Sequence, residues 1–259
     1  MEERQNKIHG VLLDLEGVLF VGEQVIEGAI EVVEYLQTQR IPFRFMTNTT
    51  TKSRNSIAEK MQKMGFKVQA ENILTAAYAA KHYLEQKENV SCYLLVADEV
   101  KNEFAGFQQS EQHPDVIVIG DIGPAWNYEL INRVFQMVMS GSELIALHKG
   151  KYWQTALGLQ VDIGAFVAGI EYVTNKQAVV IGKPSSAFFD AGVDALGCER
   201  KRIVMIGDDI ESDVGGAQRA GIMGALVKTG KYRKETCLSS TVTSDFILNS
   251  ISDFKQLLL

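Results

Sequence analysis

The chain is poor in the residues that build covalent or metal-bound frameworks. Its 259 residues include only three cysteines, Cys92, Cys198 and Cys237, far apart and without a CxxC pair. An odd number of isolated cysteines argues against a disulfide scaffold and fits unpaired thiols in a reducing compartment. The four histidines, His9, His82, His113 and His148, are equally scattered, so nothing supports a zinc centre. No window approaches the roughly 18 apolar residues of a membrane-spanning helix, and the opening MEERQNK is charged rather than leader-like. The expectation is a cytoplasmic protein with no membrane partner. No basic block opposes the formal charge of −6, which argues against a nucleic-acid partner. An anionic substrate must therefore be drawn in locally, by a metal ion or a few placed cations.

What is present is an ordinary globular composition, 46% apolar and 22% charged, in a chain long enough for one large domain or two modest ones. Short β-branched runs alternate with segments of helical period, the pattern of parallel strands joined by crossover helices. Strands are predicted at 9–14, 42–47, 202–207, 224–228 and 245–249, with helices around 28–40, 52–64, 186–197, 212–220 and 251–258. Together they predict an α/β protein with a Rossmann-like doubly wound parallel sheet. Residues 76–180 interrupt it with strands at 91–97, 115–120 and 143–147 and helices near 76–87, 127–139 and 164–173, enough for a second α/β domain. The expected division is 1–75 with 181–259 as the core and 76–180 as the insertion.

In open α/β sheets ligands bind at the carboxyl ends of the strands. Asp14, Thr47 and Asp208 each fall at or just past such an end, and Lys183 closes the run AVVIGK. Two carboxylates with a backbone carbonyl can hold a hard cation, and magnesium is commonly bound through one or two carboxylates plus substrate phosphate. Asp14 and Asp208 are the candidate pair. A carboxylate can also attack phosphorus to give an aspartyl-phosphate, provided that a metal and the Lys183 ammonium relieve the repulsion between anions. Thr47 and Asn48 would offer hydroxyl and amide donors to the phosphoryl oxygens. Taken singly, each residue has a plainer reading. Asp14 suits a turn, TNTTTKS a helix cap, GKP a turn before a helix, and GDDIESD a cluster of charge at a helix N-terminus. Their joint order favours chemistry.

DLEGVL, TNTT, GKP and GDDIESD, in that order, resemble the four motifs of the haloacid dehalogenase-like hydrolases, mostly magnesium-dependent phosphatases with a Rossmann-like core. The long gap between the second and third motifs lies where the family's C2-type cap is inserted, and the resemblance covers nearly the whole chain. It implies that Asp14 is the nucleophile and binds Mg2+ with Asp208 and the backbone carbonyl of Glu16. It further implies that Thr47 and Asn48 hold the phosphate and that Lys183 neutralises Asp14 and the transferring group. Asp213, the last acid of the fourth motif, would orient metal-bound water or Lys183.

Glu16 departs from the family pattern, in which most members carry an aspartate that protonates the leaving group and later activates water. The extra methylene moves the carboxyl by ~1.5 Å, and a misplacement of ~1 Å can cost on the order of 10²-fold in rate. The expected function is a phosphatase acting on a small phosphorylated substrate, slow or confined to good leaving groups. Two other readings stand beside it: a catalytically weak scaffold that keeps the fold, and a phosphoacceptor signalling module. A homodimer through the inserted domain is compatible with the sequence.

Overall fold

The computed structural model describes residues 8–155 and 158–258, and the MEERQNK segment lies outside the described residues. The chain divides into two compact units. One takes the chain up to Thr47, Arg54–Leu74 and everything from Lys183; the other takes Asn48–Ser53 and Thr75–Gly182. Each is built on a sheet with parallel pairing, and the architecture is the Rossmann-like α/β class expected from the sequence.

The larger unit carries a sheet in the order Phe246–Leu248, Met223–Val227, Ile203–Gly207, Gly10–Asp14, Phe43–Thr47 and Ile73–Thr75. The first five strands pair in parallel. Gly10–Asp14 is buried along its whole length. Val11 and Leu13 enter a core with Val32, Val33, Leu36, Ile57 and Met61 from the helices Ala29–Thr38 and Arg54–Lys63. Leu12 lies against Gly192 of the helix Ser186–Leu196, which also buries Phe188 and Phe189. Covering on both faces explains why this strand reads as an unbroken apolar run; each aliphatic side chain so buried contributes about 1.5–3 kcal/mol.

Register sets the edge on which polar groups gather. Leu13 pairs with Ile206 and Asp14 with Met46. Asp14, Thr47 and Asp208 therefore emerge within a residue of one another at the carboxyl end of the sheet.

Two helices differ in kind from the sequence reading. The segment predicted at 212–220 is a wide π-type turn over Ile210–Gly215 followed by a short α-helix, Gly216–Arg219. Ile251–Leu258 is a 3-10 helix. A small hairpin, Phe20–Val21 with Gln24–Val25, follows the first strand.

The second unit has a five-stranded sheet ordered Val179–Val180, Glu143–Ala146, Val116–Ile119, Ser91–Leu95 and Gln108–Gln109, parallel throughout. The helices Tyr128–Met139 and Gly164–Thr174 supply Val134, Met137, Val138, Val167 and Ile170 to its core. Asn127 caps the first of these by accepting the Leu130 N–H. Among the described residues no helix is long and apolar enough to cross a membrane.

Candidate active site

Asp14 ends the central strand with its carboxylate held from two directions. Its Oδ1 accepts the Leu15 N–H at 2.8 Å and pairs with Lys183 Nζ, also at 2.8 Å. The same ammonium lies 2.7 Å from Asp213 Oδ1 and donates to the Met46 carbonyl at 3.4 Å. Lys183 thus bridges two carboxylates while almost fully removed from water. Burial by itself would lower its pKa; the Asp14 and Asp213 charges overcome that and hold the ammonium above the ordinary lysine value.

Asp208 follows the strand Ile203–Gly207. Its Oδ2 accepts the Lys231 N–H at 2.6 Å, while its Oδ1 is buried without a hydrogen-bond partner among the described residues. Gly17 and Gly230 press on this carboxylate. A Cβ at Gly17 would stand 1.9 Å from Asp208 Oδ2, and one at Gly230 would stand 2.1 Å from the same atom. Both adopt positive φ, +83° and +60°, so glycine is required for conformation as well as for space. The Thr229 hydroxyl donates to the Gly17 carbonyl at 2.5 Å and ties the two loops together.

Asp213 reaches the cluster because of the π-type turn. The N–H groups of Asp213 and Val214 both point to the Asp209 carbonyl, widening the turn. Asp213 Oδ2 then accepts the Asp209 N–H at 3.1 Å. Asp209 caps this turn, accepting the N–H groups of Glu211 and Ser212. Although burial opposes its ionisation, those amides keep its carboxyl below the ordinary value.

Oxygens of Asp14, Asp208 and Asp213 lie within 4.8 Å of one another. Three carboxylates with a single ammonium leave the buried cluster two negative charges in excess. Burial, reinforced by Asp14 and Asp213, raises Asp208 to about 7. Asp213 is also raised, chiefly by burial, against the opposing pull of Lys183. A divalent cation fits this arrangement on two counts: it would balance the excess charge, and it would engage Asp208 Oδ1, a hard oxygen donor of the kind such ions prefer.

The structure therefore brings Asp14, Lys183, Asp208 and Asp213 together, with Thr47 buried at the end of the adjoining strand. Asn48 belongs to the second unit, where its Oδ1 lies close to Gly182. The Glu16 side chain is exposed, and its Oε1 accepts the Gly22 N–H at 2.7 Å. Sequence reasoning assigned no site role to Gly17, Thr229, Gly230 or Lys231. The TGK stretch carries no chemical signal, because Gly230 and Lys231 act through the backbone and Thr229 through a hydroxyl bound to a backbone carbonyl.

Two family models match the chain, one for haloacid dehalogenase-like hydrolases over residues 11–109 and a HAD-hydrolase-like one over residues 180–254. Haloacid dehalogenase-like hydrolase domain-containing protein 2 of Bos taurus is 40% identical over 226 residues, 87% of this chain and 86% of that protein. The human phospholysine phosphohistidine inorganic pyrophosphate phosphatase is 37% identical over 258 residues, covering 97% and 94%. Among solved structures, a 4-nitrophenylphosphatase from Thermotoga maritima has the same fold, with TM-score 0.91, 24% identity and 98% of each chain covered. A thermostable p-nitrophenylphosphatase of Bacillus stearothermophilus superposes at TM-score 0.85 with 26% identity, over 95% of this chain and 98% of that one.

Proposed function

The chain belongs to the haloacid dehalogenase-like hydrolases, and from that premise we propose that it is a magnesium-dependent phosphatase of small phosphorylated substrates. The observation that carries the proposal is the buried cluster in which one lysine pairs with Asp14 and Asp213 while Asp208 keeps beside them an oxygen that has no partner among the described residues. Asp14, Asp208 and the backbone carbonyl of Glu16 would hold Mg2+. When bound, the ion would lower the electrostatic cost of bringing a phosphate dianion to a carboxylate.

The remaining chemistry is assigned to side chains. With Oδ1 engaged by Leu15 and Lys183, Asp14 presents its other oxygen to phosphorus. The new P–O bond gives an aspartyl-phosphate as the bond to the leaving group breaks, and water then cleaves the acyl phosphate to restore the carboxylate. Lys183 offsets charge on Asp14 and on the transferring group. Thr47 and Asn48 donate to phosphoryl oxygens, and Asp213 fixes the position of the lysine through its 2.7 Å pair. In this reading the insertion is a C2-type cap.

The Glu16 carboxylate is occupied by the Gly22 amide, which favours slow turnover and substrates whose leaving group departs with little protonation. Phosphoramidates that arrive protonated on nitrogen, and pyrophosphate, meet that condition; the name of the human relative points to the same chemistry.

Asp14→Asn is the direct test. Removal of the nucleophile is expected to lower kcat on p-nitrophenyl phosphate and on pyrophosphate by more than about 10³-fold, and chelation of magnesium is expected to silence the unaltered protein. Activity retained in the asparagine variant would remove the proposed mechanism.

A further inference from the structure

We propose that Glu16 is a clasp that holds the loop walling the metal site, and that its carboxylate is not the acid of the reaction; this deepens the phosphatase reading and rests on it. The geometry points to this from three sides. Glu16 Oε1 accepts the Gly22 N–H at 2.7 Å, six residues along the chain. That amide belongs to the first turn residue of the Phe20–Val21/Gln24–Val25 hairpin and stands outside its ladder, in which Phe20 pairs with Val25 and Val21 with Gln24. A carboxylate at an amide is a charge-assisted bond, the stronger kind. The clasp closes a loop already joined by the Gly17 N–H to the Phe20 carbonyl at 2.8 Å.

What the loop positions is the second link. Gly17 lies at its base, against Asp208 Oδ2 and the Gly230 backbone, with its carbonyl held by Thr229. The far side is anchored by Phe20, whose ring is buried and faces the Lys60 ammonium at 4.5 Å. The Gly22 end of the loop is thus connected through Phe20 and Gly17 to the wall beside Asp208. Side-chain length is the third link. An aspartate at position 16 would fall short of Gly22 by about one C–C bond, ~1.5 Å, too far for a hydrogen bond. The glutamate that departs from the family pattern is the residue whose reach this contact requires.

Hydrogen exchange and kinetics of two variants decide the matter. Glu16→Ala removes the acceptor, whereas Glu16→Gln keeps an acceptor oxygen and cannot donate an acid proton as a carboxyl does. In Glu16→Ala, exchange in the 17–25 segment is expected to accelerate about tenfold. The magnesium concentration for half-maximal rate should rise several-fold, while kcat on p-nitrophenyl phosphate and on an alkyl phosphate falls by less than about threefold. Glu16→Gln should restore exchange protection and magnesium dependence toward the original values, with the alkaline limb of the kcat–pH profile in the same place. The proposal is overturned if Glu16→Ala leaves exchange at 17–25 unchanged. It is equally overturned if both variants lose kcat on the alkyl phosphate by the ~10²–10⁴-fold typical of a missing acid. Because exchange needs no turnover, a protein that hydrolyses no phosphate yet shows the alanine–glutamine contrast would refute the phosphatase reading and leave the clasp standing.

Discussion

Asp208 carries an uncompensated electrostatic cost. Burial and the neighbouring Asp14 and Asp213 charges raise its pKa to about 7, against about 3.9 in an unfolded chain. A carboxyl whose folded pKa is raised contributes stability that is complete below about pH 4 and disappears as pH climbs through 7. In the metal-free protein, ionised Asp208 therefore works against folding at pH 8. Asp208→Asn should raise the metal-free melting temperature at that pH by about 2–4 °C for each kcal/mol relieved, and should abolish the further rise that magnesium produces in the unaltered protein. A lower melting temperature in the variant would overturn this account of Asp208. At this scale the sequence is legible by residue type. Asp14, Lys183 and Asp208 could be selected because carboxylates and a lysine at strand ends have few structural reasons to gather, but the orientation of Glu16 could not, since its partner is a backbone amide.

At the scale of elements, the turns decide more than the strands. The run GDDIESD was read as leading into a helix from 212, and it instead opens into the π-type turn Ile210–Gly215. The widened backbone, with two amides on the Asp209 carbonyl, carries Asp213 back toward Lys183. Wide turns of this kind recur at functional sites and have no period of their own to read. The Gly17 and Gly230 loops form the opposite wall. Gly230→Ala places a Cβ 2.1 Å from Asp208 Oδ2 and 2.4 Å from Gly17 Cα, at φ +60°. It is expected to weaken magnesium-dependent stabilisation by at least about tenfold in apparent affinity, because a displacement of ~1 Å is enough to spoil a built site. Calorimetric titration with Mg2+ measures this, and unchanged affinity would show that the loops do not shape the carboxylate. Two- and three-residue strands such as Phe20–Val21, Gln24–Val25 and Ile73–Thr75 are too short to show the run of alternation, about four to eight residues, by which a sequence identifies a strand.

For the molecule as a whole, net charge sets how a substrate is captured. With a formal charge of −6, a phosphate is not steered from a distance; under the proposed function it would be held at contact by Lys183 and a bound cation. Raising ionic strength from about 0.01 to 0.15 M shortens the screening length from ~30 to ~8 Å, so kcat/KM on p-nitrophenyl phosphate should change by less than about threefold at saturating magnesium. A tenfold fall would reveal a long-range positive field that the composition does not suggest. Apolar runs covered on both faces and helices of regular period are local properties, which is why the doubly wound sheet and the strand ends bearing Asp14, Thr47 and Asp208 could be read from order alone. Tertiary structure decided the rest: Lys183 between Asp14 and Asp213, an oxygen of Asp208 without a partner among the described residues, and Glu16 bound to Gly22. Those contacts depend on angles and distances of a few ångströms between segments remote along the chain or on the course of a turn, and residue order does not specify them until the backbone has closed.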